Sequence, residues 1–278
     1  MDYFIALVVF IFGLVIGSFL NVVIFRLDTE EKIVNSRSKC LACGHPLSWY
    51  DMFPVFSFLS LGGKCRYCGK KISWQYPLVE AATGIGFVAF FAKFFGTFDM
   101  LTLDAEGVFS ALGVLGFLSL IYVFAAMVVM FVFDLRHYII PDSVIYPAIA
   151  VASAWKLAEM LIPGGRLCLA SLIPIFFPAL LAAGLFYALI LITKGEGMGG
   201  GDVKLGFLMG MVLGYPNILL ALFVGFISGA VVGVPLVVGK KKNMKSMVPF
   251  GPFLIFGFLV SYFYGTSIID WYWNTCLF

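Results

Sequence analysis

Two pairs of cysteines and four acids are the residues of this 278-residue chain whose types and spacing could do chemistry. CLAC (Cys40 to Cys43) and CRYC (Cys65 to Cys68) are CxxC knuckles separated by 21 residues. A CxxC places two sulfurs where both can bind one ion, and Gly44 and Gly69 supply the tight backbone after each pair. Two such knuckles make a tetrahedral, all-thiolate zinc site with Cys40, Cys43, Cys65 and Cys68 as ligands. Zinc held this way is structural, because no position is left open for water. Two disulfides or a redox pair are the other uses of the spacing, and a reducing cytosolic location disfavours structural disulfides. His45, next to Gly44, is a fifth potential ligand that a four-thiolate site leaves as a bystander. Cys168 and Cys276 stand alone in apolar surroundings and read as small buried hydrophobes.

The acids are Glu80, Asp134, Asp142 and Asp202. Each lies in or beside a long apolar run, where an ionisable group is costly and marks a functional candidate by default. Asp142, between Pro141 and Ser143, has the look of a helix N-terminal residue, where a carboxylate meets free amides. Asp202 admits the same reading, with Gly199, Gly200 and Gly201 as its lead-in. Asp134 falls at a predicted helix C-terminus, where a carboxylate opposes the dipole, so a task explains it better than a cap. Glu80 could pair with Lys70 or Lys71, or face a cavity. Glycines beside a carboxylate, here Gly199 and Gly201, let an extended substrate or a second helix come close. Two acids sharing one site cannot both ionise easily, so one keeps a proton while the other activates water. That is the arrangement of aspartyl proteolysis.

The elements that must position these residues are membrane helices. The chain is 62% apolar in the wide sense and 12% charged, with a mean hydropathy of +1.04. Soluble domains carry about 25% charge. Scarce charge and 17% aromatic residues also exclude disorder. A net charge of +3 is too small to point to nucleic acid. The N-terminus, MDYFIALVVF, lacks the basic region of a secretory signal and runs directly into an apolar stretch.

Apolar runs predict an all-α polytopic membrane protein with about eight helices, over 3–25, 77–95, 111–133, 143–162, 167–192, 203–213, 218–238 and 250–264. The sixth is short, and Gly214-Tyr215-Pro216-Asn217 reads as a tight turn; one bent span over 203–238 would reduce the count to seven. The reading divides the chain into a first helix over 1–25, a zinc-binding loop domain over 26–76 and a helical domain over 77–278. The loop is too small to bury a sufficient core, and metal ligation would supply what is missing.

Eight spans place fifteen of the eighteen Lys and Arg in the loops after odd-numbered spans. They are Arg26, Lys32, Arg37, Lys39, Lys64, Arg66, Lys70 and Lys71, then Arg136, Lys194 and Lys204, then Lys240, Lys241, Lys242 and Lys245. Arg166 alone falls on the other side, and segment 96–107 is acidic through Asp99, Asp104 and Glu106. The positive-inside rule therefore predicts both termini outside, with the zinc loop and the four acids at the cytosolic edge. The basic loop also suits an anionic inner-leaflet lipid surface.

Four segments together resemble the type IV prepilin peptidases, the leader peptidase and N-methyltransferase enzymes of type IV pili and type II secretion. They are GSFLNVVIFRL (Gly17 to Leu27), the two CxxC knuckles, FDLRHYIIPD (Phe133 to Asp142) and GMGGGDVKLG (Gly197 to Gly206). The last reads as the GxGD pattern also found in presenilin-like proteases, with Gly199, Gly201 and Asp202 in the motif positions. The resemblance implies that Asp134 and Asp202 are the catalytic pair and that Asp142 is not. It implies prepilin or pseudopilin N-terminal segments as substrates, cut after the leader's final Gly. It further implies S-adenosylmethionine as donor for methylating the new N-terminal residue, commonly Phe, in a bacterial cytoplasmic membrane. No glycine-rich dinucleotide-type motif marks a place for that donor, and Glu80 is the candidate for the methyl-transfer region. Archaeal preflagellin peptidases share the aspartates but lack the zinc loop, and fit less well. The competing readings are a peptidase without methyltransferase activity, an ion-coupled transporter with a zinc regulatory loop, and a membrane scaffold that uses the zinc module to hold a partner.

Overall fold

Every apolar run named above forms a helix. The structure is a computed structural model and describes residues 3–29, 38–97, 111–161, 169–195, 198–238 and 249–276. Lys32, Arg37, Asp99, Asp104, Glu106, Arg166, Cys168, Gly197, Lys240, Lys241, Lys242 and Lys245 lie outside the described residues, as does the side chain of Cys276. The helices are α1 (Tyr3–Thr29), α2 (Phe56–Ser60), α3 (Gln75–Thr97), α4 (Ala111–His137), α5 (Asp142–Leu161), α6 (Leu169–Ile192), α7 (Gly200–Leu213), α8 (Asn217–Val238) and α9 (Gly251–Cys276). Among the described residues there are no β-strands, only two isolated bridges, Lys39 with Pro46 and Lys64 with Lys71.

Among the described residues seven helices, all except α2 and α7, are long and apolar enough to cross a membrane. Their outer faces are what lipid requires: Phe4, Leu7, Ile11, Phe12, Val15 and Phe19 of α1 are all exposed. In hydrocarbon the backbone must satisfy itself, and a helix does so without a partner. The expected sixth span is a separate helix, α7, of 14 residues. At 1.5 Å per residue that is about 21 Å, short of a hydrocarbon core of about 30 Å. It is not continuous with the helix that follows: α7 ends at Leu213, and Gly214, with a φ of +69°, breaks the helix before α8 begins at Asn217. The last helix runs well past residue 264, to Cys276.

The chain forms two compact units, Met1–Val129 and Met130–Phe278, with the boundary inside α4. In the first unit α1 and α3 pack antiparallel along a seam of small residues. A Cβ added at Gly13 would lie 2.8 Å from the Gly84 Cα, and one at Gly17 would lie 2.7 Å from the Glu80 Cα. One turn further, Asn21 Nδ2 donates to the Tyr76 carbonyl at 3.1 Å. Each step of four down α1 is thus matched by a step of four back along α3. Close backbone approach through glycine replaces the hydrophobic drive that lipid removes. In the second unit α7 meets α6 the same way, Gly206 against the Phe186 ring and Gly210 against Ala179.

Gly17→Ala should therefore lower thermal stability in detergent, by about 1–3 kcal/mol, because the Glu80 backbone cannot swing aside. Gly184→Ala in α6, where an added Cβ meets nothing within 4 Å, should leave the melting temperature unchanged or raise it. Equal effects of the two substitutions would contradict the seam.

Candidate active site and metal centre

The two knuckles fold alike. In the first, the Gly44 N–H donates to the Cys40 carbonyl at 2.8 Å and the Cys40 N–H to the His45 carbonyl at 2.9 Å. In the second, Gly69 donates to Cys65 at 2.9 Å and Cys65 to Lys70 at 2.8 Å. Gly44 and Gly69 have φ of +72° and +70°, a left-handed conformation that explains glycine after each second cysteine. The four Sγ atoms all lie within 4.8 Å of one another. Four thiolates about 2.3 Å from one zinc stand about 3.8 Å apart, so the cluster fits a tetrahedral ion. Burial works against a Cys40 thiolate, but the backbone N–H groups of Ala42 and Cys43 and the Cys43 and Cys65 thiols together outweigh it and bring the thiol down to about 7. His45 lies against Tyr67, ring centroids 3.8 Å apart with the planes tilted by 48°, and is not in the sulfur cluster.

A polar clasp braces the same loop. Asp51 accepts from Arg66 Nε at 2.8 Å, from the Tyr67 hydroxyl at 3.0 Å and from the Ser48 N–H at 3.3 Å. Burial pushes the Asp51 carboxyl up, and these donors together overcome it and hold the group below the ordinary carboxylate range. Arg66 and Tyr67 belong to the second CxxC, so the clasp ties the segment between the knuckles to one of them.

Asp134 and Asp202 are both buried, at 5% and 8% exposure, in the second unit. Asp134 lies one turn before the end of α4, and Asp202 in the first turn of α7. Their charges are close enough to interact. Each carboxylate takes one backbone N–H: Asp134 Oδ2 from Gly251 at 2.9 Å, and Asp202 Oδ2 from Gly199 at 3.3 Å. The helix-start geometry considered for Asp202 is therefore present, although the residue is buried rather than solvated. Gly201 is needed for packing, since a Cβ there would lie 3.0 Å from that of Ile140 in the α4–α5 connection. Beside Gly199 the space is open, an added Cβ meeting only the Gly201 nitrogen at 3.9 Å.

Asp142 is different. It opens α5 with its side chain 61% exposed, and Lys204 Nζ meets its Oδ1 at 2.5 Å. Lys204 also sits over the Tyr146 ring, 4.8 Å from the centroid. The pair links the start of α5 to the turn of α7 that carries Asp202, which sequence spacing did not reveal. Gly251 was also missed. It opens α9, and a Cβ there would lie 2.6 Å from Asp134 Oδ2. The signal available was PFGPF, a glycine between two prolines at a helix start, with nothing in it to name Asp134 as its partner.

Glu80, in the first unit, does not pair with Lys70 or Lys71. Its Oε2 accepts the Val55 N–H at 2.7 Å, and the Ser18 hydroxyl also bonds to it. Val55 precedes α2 with a φ of +60°, a conformation rare for a β-branched residue.

Residues 11–94 match the bacterial peptidase A24 N-terminal domain, and residues 121–234 match the type IV leader peptidase family. A protein of Xanthomonas campestris named prepilin leader peptidase/N-methyltransferase is 32% identical, over 94% of this chain and 91% of its own length. Proteins of the same name from Aeromonas salmonicida and Bacillus subtilis are each 30% identical, over 97% and 95% of this chain and 94% and 96% of theirs. No solved structure matches the chain. The chain belongs to the type IV leader peptidase family.

Metal analysis of the purified chain should return one zinc per molecule, and cobalt substitution should give the absorption of a four-thiolate site. Cys40→Ser should release the metal. Free thiols with no metal bound would contradict the centre.

Proposed function

We propose that this chain is a bifunctional prepilin peptidase and N-methyltransferase of the bacterial cytoplasmic membrane. Its membership of the leader peptidase family and the names of its relatives support both activities. The single observation that carries the cleavage half is the convergence of two buried carboxylates, Asp134 and Asp202, from distant parts of the sequence. Asp134 and Asp202 hold one water and one proton between them. The carboxylate takes a proton from the water as its oxygen adds to the carbonyl carbon between the leader's final Gly and the next residue. The protonated acid gives its proton to the carbonyl oxygen. Collapse then breaks the C–N bond: the proton taken from water leaves with the new amine, and one hydroxyl of the tetrahedral intermediate returns its proton to the other carboxylate, which restores the singly protonated pair. Gly251 and Gly199 fix the two carboxylates, and the open flank of Gly199 leaves room for an extended substrate backbone.

The four cysteines fit zinc, which would hold the loop over 26–76 in shape. S-adenosylmethionine, when bound, supplies the methyl group. The accepting amine must be neutral to act as nucleophile, so the protein's part is to hold it dry or to remove its proton. We assign this half to the loop over 26–76 together with Glu80, just inside the helical domain, and the protease half to the other helices over 77–278. With α7, short but packed along α6, taken as the eighth crossing, the termini face the periplasm, and the acids and the zinc loop lie on the cytosolic side.

Asp134→Ala and Asp202→Ala should each abolish prepilin cleavage, a loss of at least 1,000-fold, while both variants still insert in the membrane. Gly251→Ala should cost at least tenfold, because its methyl displaces the Asp134 carboxylate. Asp142→Asn, which touches Lys204 and not the pair, should keep substantial activity. Full cleavage by Asp202→Ala would sink the aspartyl mechanism. A reporter fused after Phe278 should be periplasmic and one at Lys242 cytosolic; a cytosolic C-terminus would mean that α7 does not count as a crossing.

A further inference from the structure

The loop between α1 and α3 is tied to the membrane helices at one point, and bare apolar side chains flank that point on both sides. The tie is the Val55 N–H, which donates to Glu80 Oε2 at 2.7 Å, with the Ser18 hydroxyl bonded to the same carboxylate. Two rulers give its depth. The apolar stretch of α3 starts at Gln75, and its 21 residues cover about 32 Å, which matches a hydrocarbon core of about 30 Å. Glu80, five residues on, therefore lies about 8 Å inside that edge. On α1 the first charged residue is Arg26, and Ser18 lies about 12 Å before it. Helical side chains tilt toward the N-terminus, so the Glu80 carboxylate reaches back toward the edge and holds Val55 at it or just beneath.

Phe53 and Phe56 are two residues and one from Val55, so their Cα atoms stay within about 8 Å of its own. Neither is covered by the protein: they are 53% and 71% exposed. Trp49, 71% exposed, sets its ring edge against Phe53, centroids 5.8 Å apart. Leu59 is also exposed, and it lies three residues after Phe56 on the same side of α2. The protein uses the other side of α2, where Ser57 and Phe58 are buried and Phe58 packs on Trp74 at 4.9 Å. Apolar side chains left bare at that depth meet lipid first, and Trp and Phe there are the usual interfacial anchors. The charge agrees. Residues 38–74 carry Lys39, Lys64, Arg66, Lys70 and Lys71 against one acid, Asp51. A four-thiolate zinc reduces that excess without cancelling it, and the remainder suits anionic headgroups.

We propose that residues 49–59 are an interfacial anchor, with Trp49, Phe53, Phe56 and Leu59 inserted in the bilayer edge at which α3 begins. The loop is then held by a membrane helix at each end and by lipid in between, which keeps the zinc module against the membrane surface.

The test places the photoreactive residue benzoylphenylalanine at Phe53, Phe56 or Leu59, one at a time, in the full chain in nanodiscs of mixed neutral and anionic phospholipid. Exposed positions take the bulky group without repacking the fold. Phe12, on the lipid-facing side of α1, is the reference. After irradiation Phe56 should carry lipid, attached through the acyl chain, at a yield within about threefold of Phe12. The inference rests on the membrane helices and not on either proposed activity, so the same adducts should form in the Asp202→Ala chain. No lipid adduct at any of the three positions would overturn it. So would a crosslink from them to a second copy of the chain, or transfer of the adduct from lipid to an added prepilin N-terminal peptide, which would make the surface a substrate site instead.

Discussion

A carboxylate buried in a chain that faces lipid must be met by donors, and in this protein the donors are free amides at helix starts. The first N–H groups of a helix have no intrahelical partner. Asp134 takes that of Gly251 at the start of α9, Asp202 that of Gly199 before α7, and Glu80 that of Val55 before α2. Each contact removes one orphan donor and one orphan acceptor together. The positions of the helix ends are therefore set by the acids as much as by the apolar runs between them. Gly251 follows from the same constraint, since any side chain there would fall on the carboxylate it serves.

The rest of the structure brings those helix ends to the acids. Glycine seams allow α1 to reach α3 and α6 to reach α7 at backbone distance, and Ile140 packs against Gly201 where the chain turns from α4 into α5. The Asp142–Lys204 pair fixes the outside of the same turn. Because α7 is short, Asp202 can sit at a helix start and still be buried. The loop between α1 and α3 has little apolar core, and its shape rests on two mirrored knuckles and the Asp51 clasp.

Much of this was legible in the sequence, because its causes are local. Long apolar runs name helices by themselves, and CxxC followed by glycine names a knuckle, since ligand spacing and left-handed backbone are written in adjacent residues. The turn at Gly214 was likewise visible, and it separates α7 from α8. The partners were not legible. For Glu80 the sequence leaves a lysine partner and a cavity equally open; it bonds to a backbone amide, and backbone donors leave no mark in residue types. Gly251 and Lys204 act across long sequence separations, on Asp134 and Asp142, and one chain carries no record of such pairings.

The account's central claim is that Asp134 and Asp202 act as one unit. The direct measurement is a double-mutant cycle on the single-turnover rate of prepilin cleavage, with Asp134→Asn, Asp202→Asn and both together in membranes of matched protein content. Residues of one catalytic unit are not additive, so the double variant should be little slower than either single one. A double variant slowed by the product of the two single effects, or a single variant that keeps most of the wild-type rate, would contradict the claim.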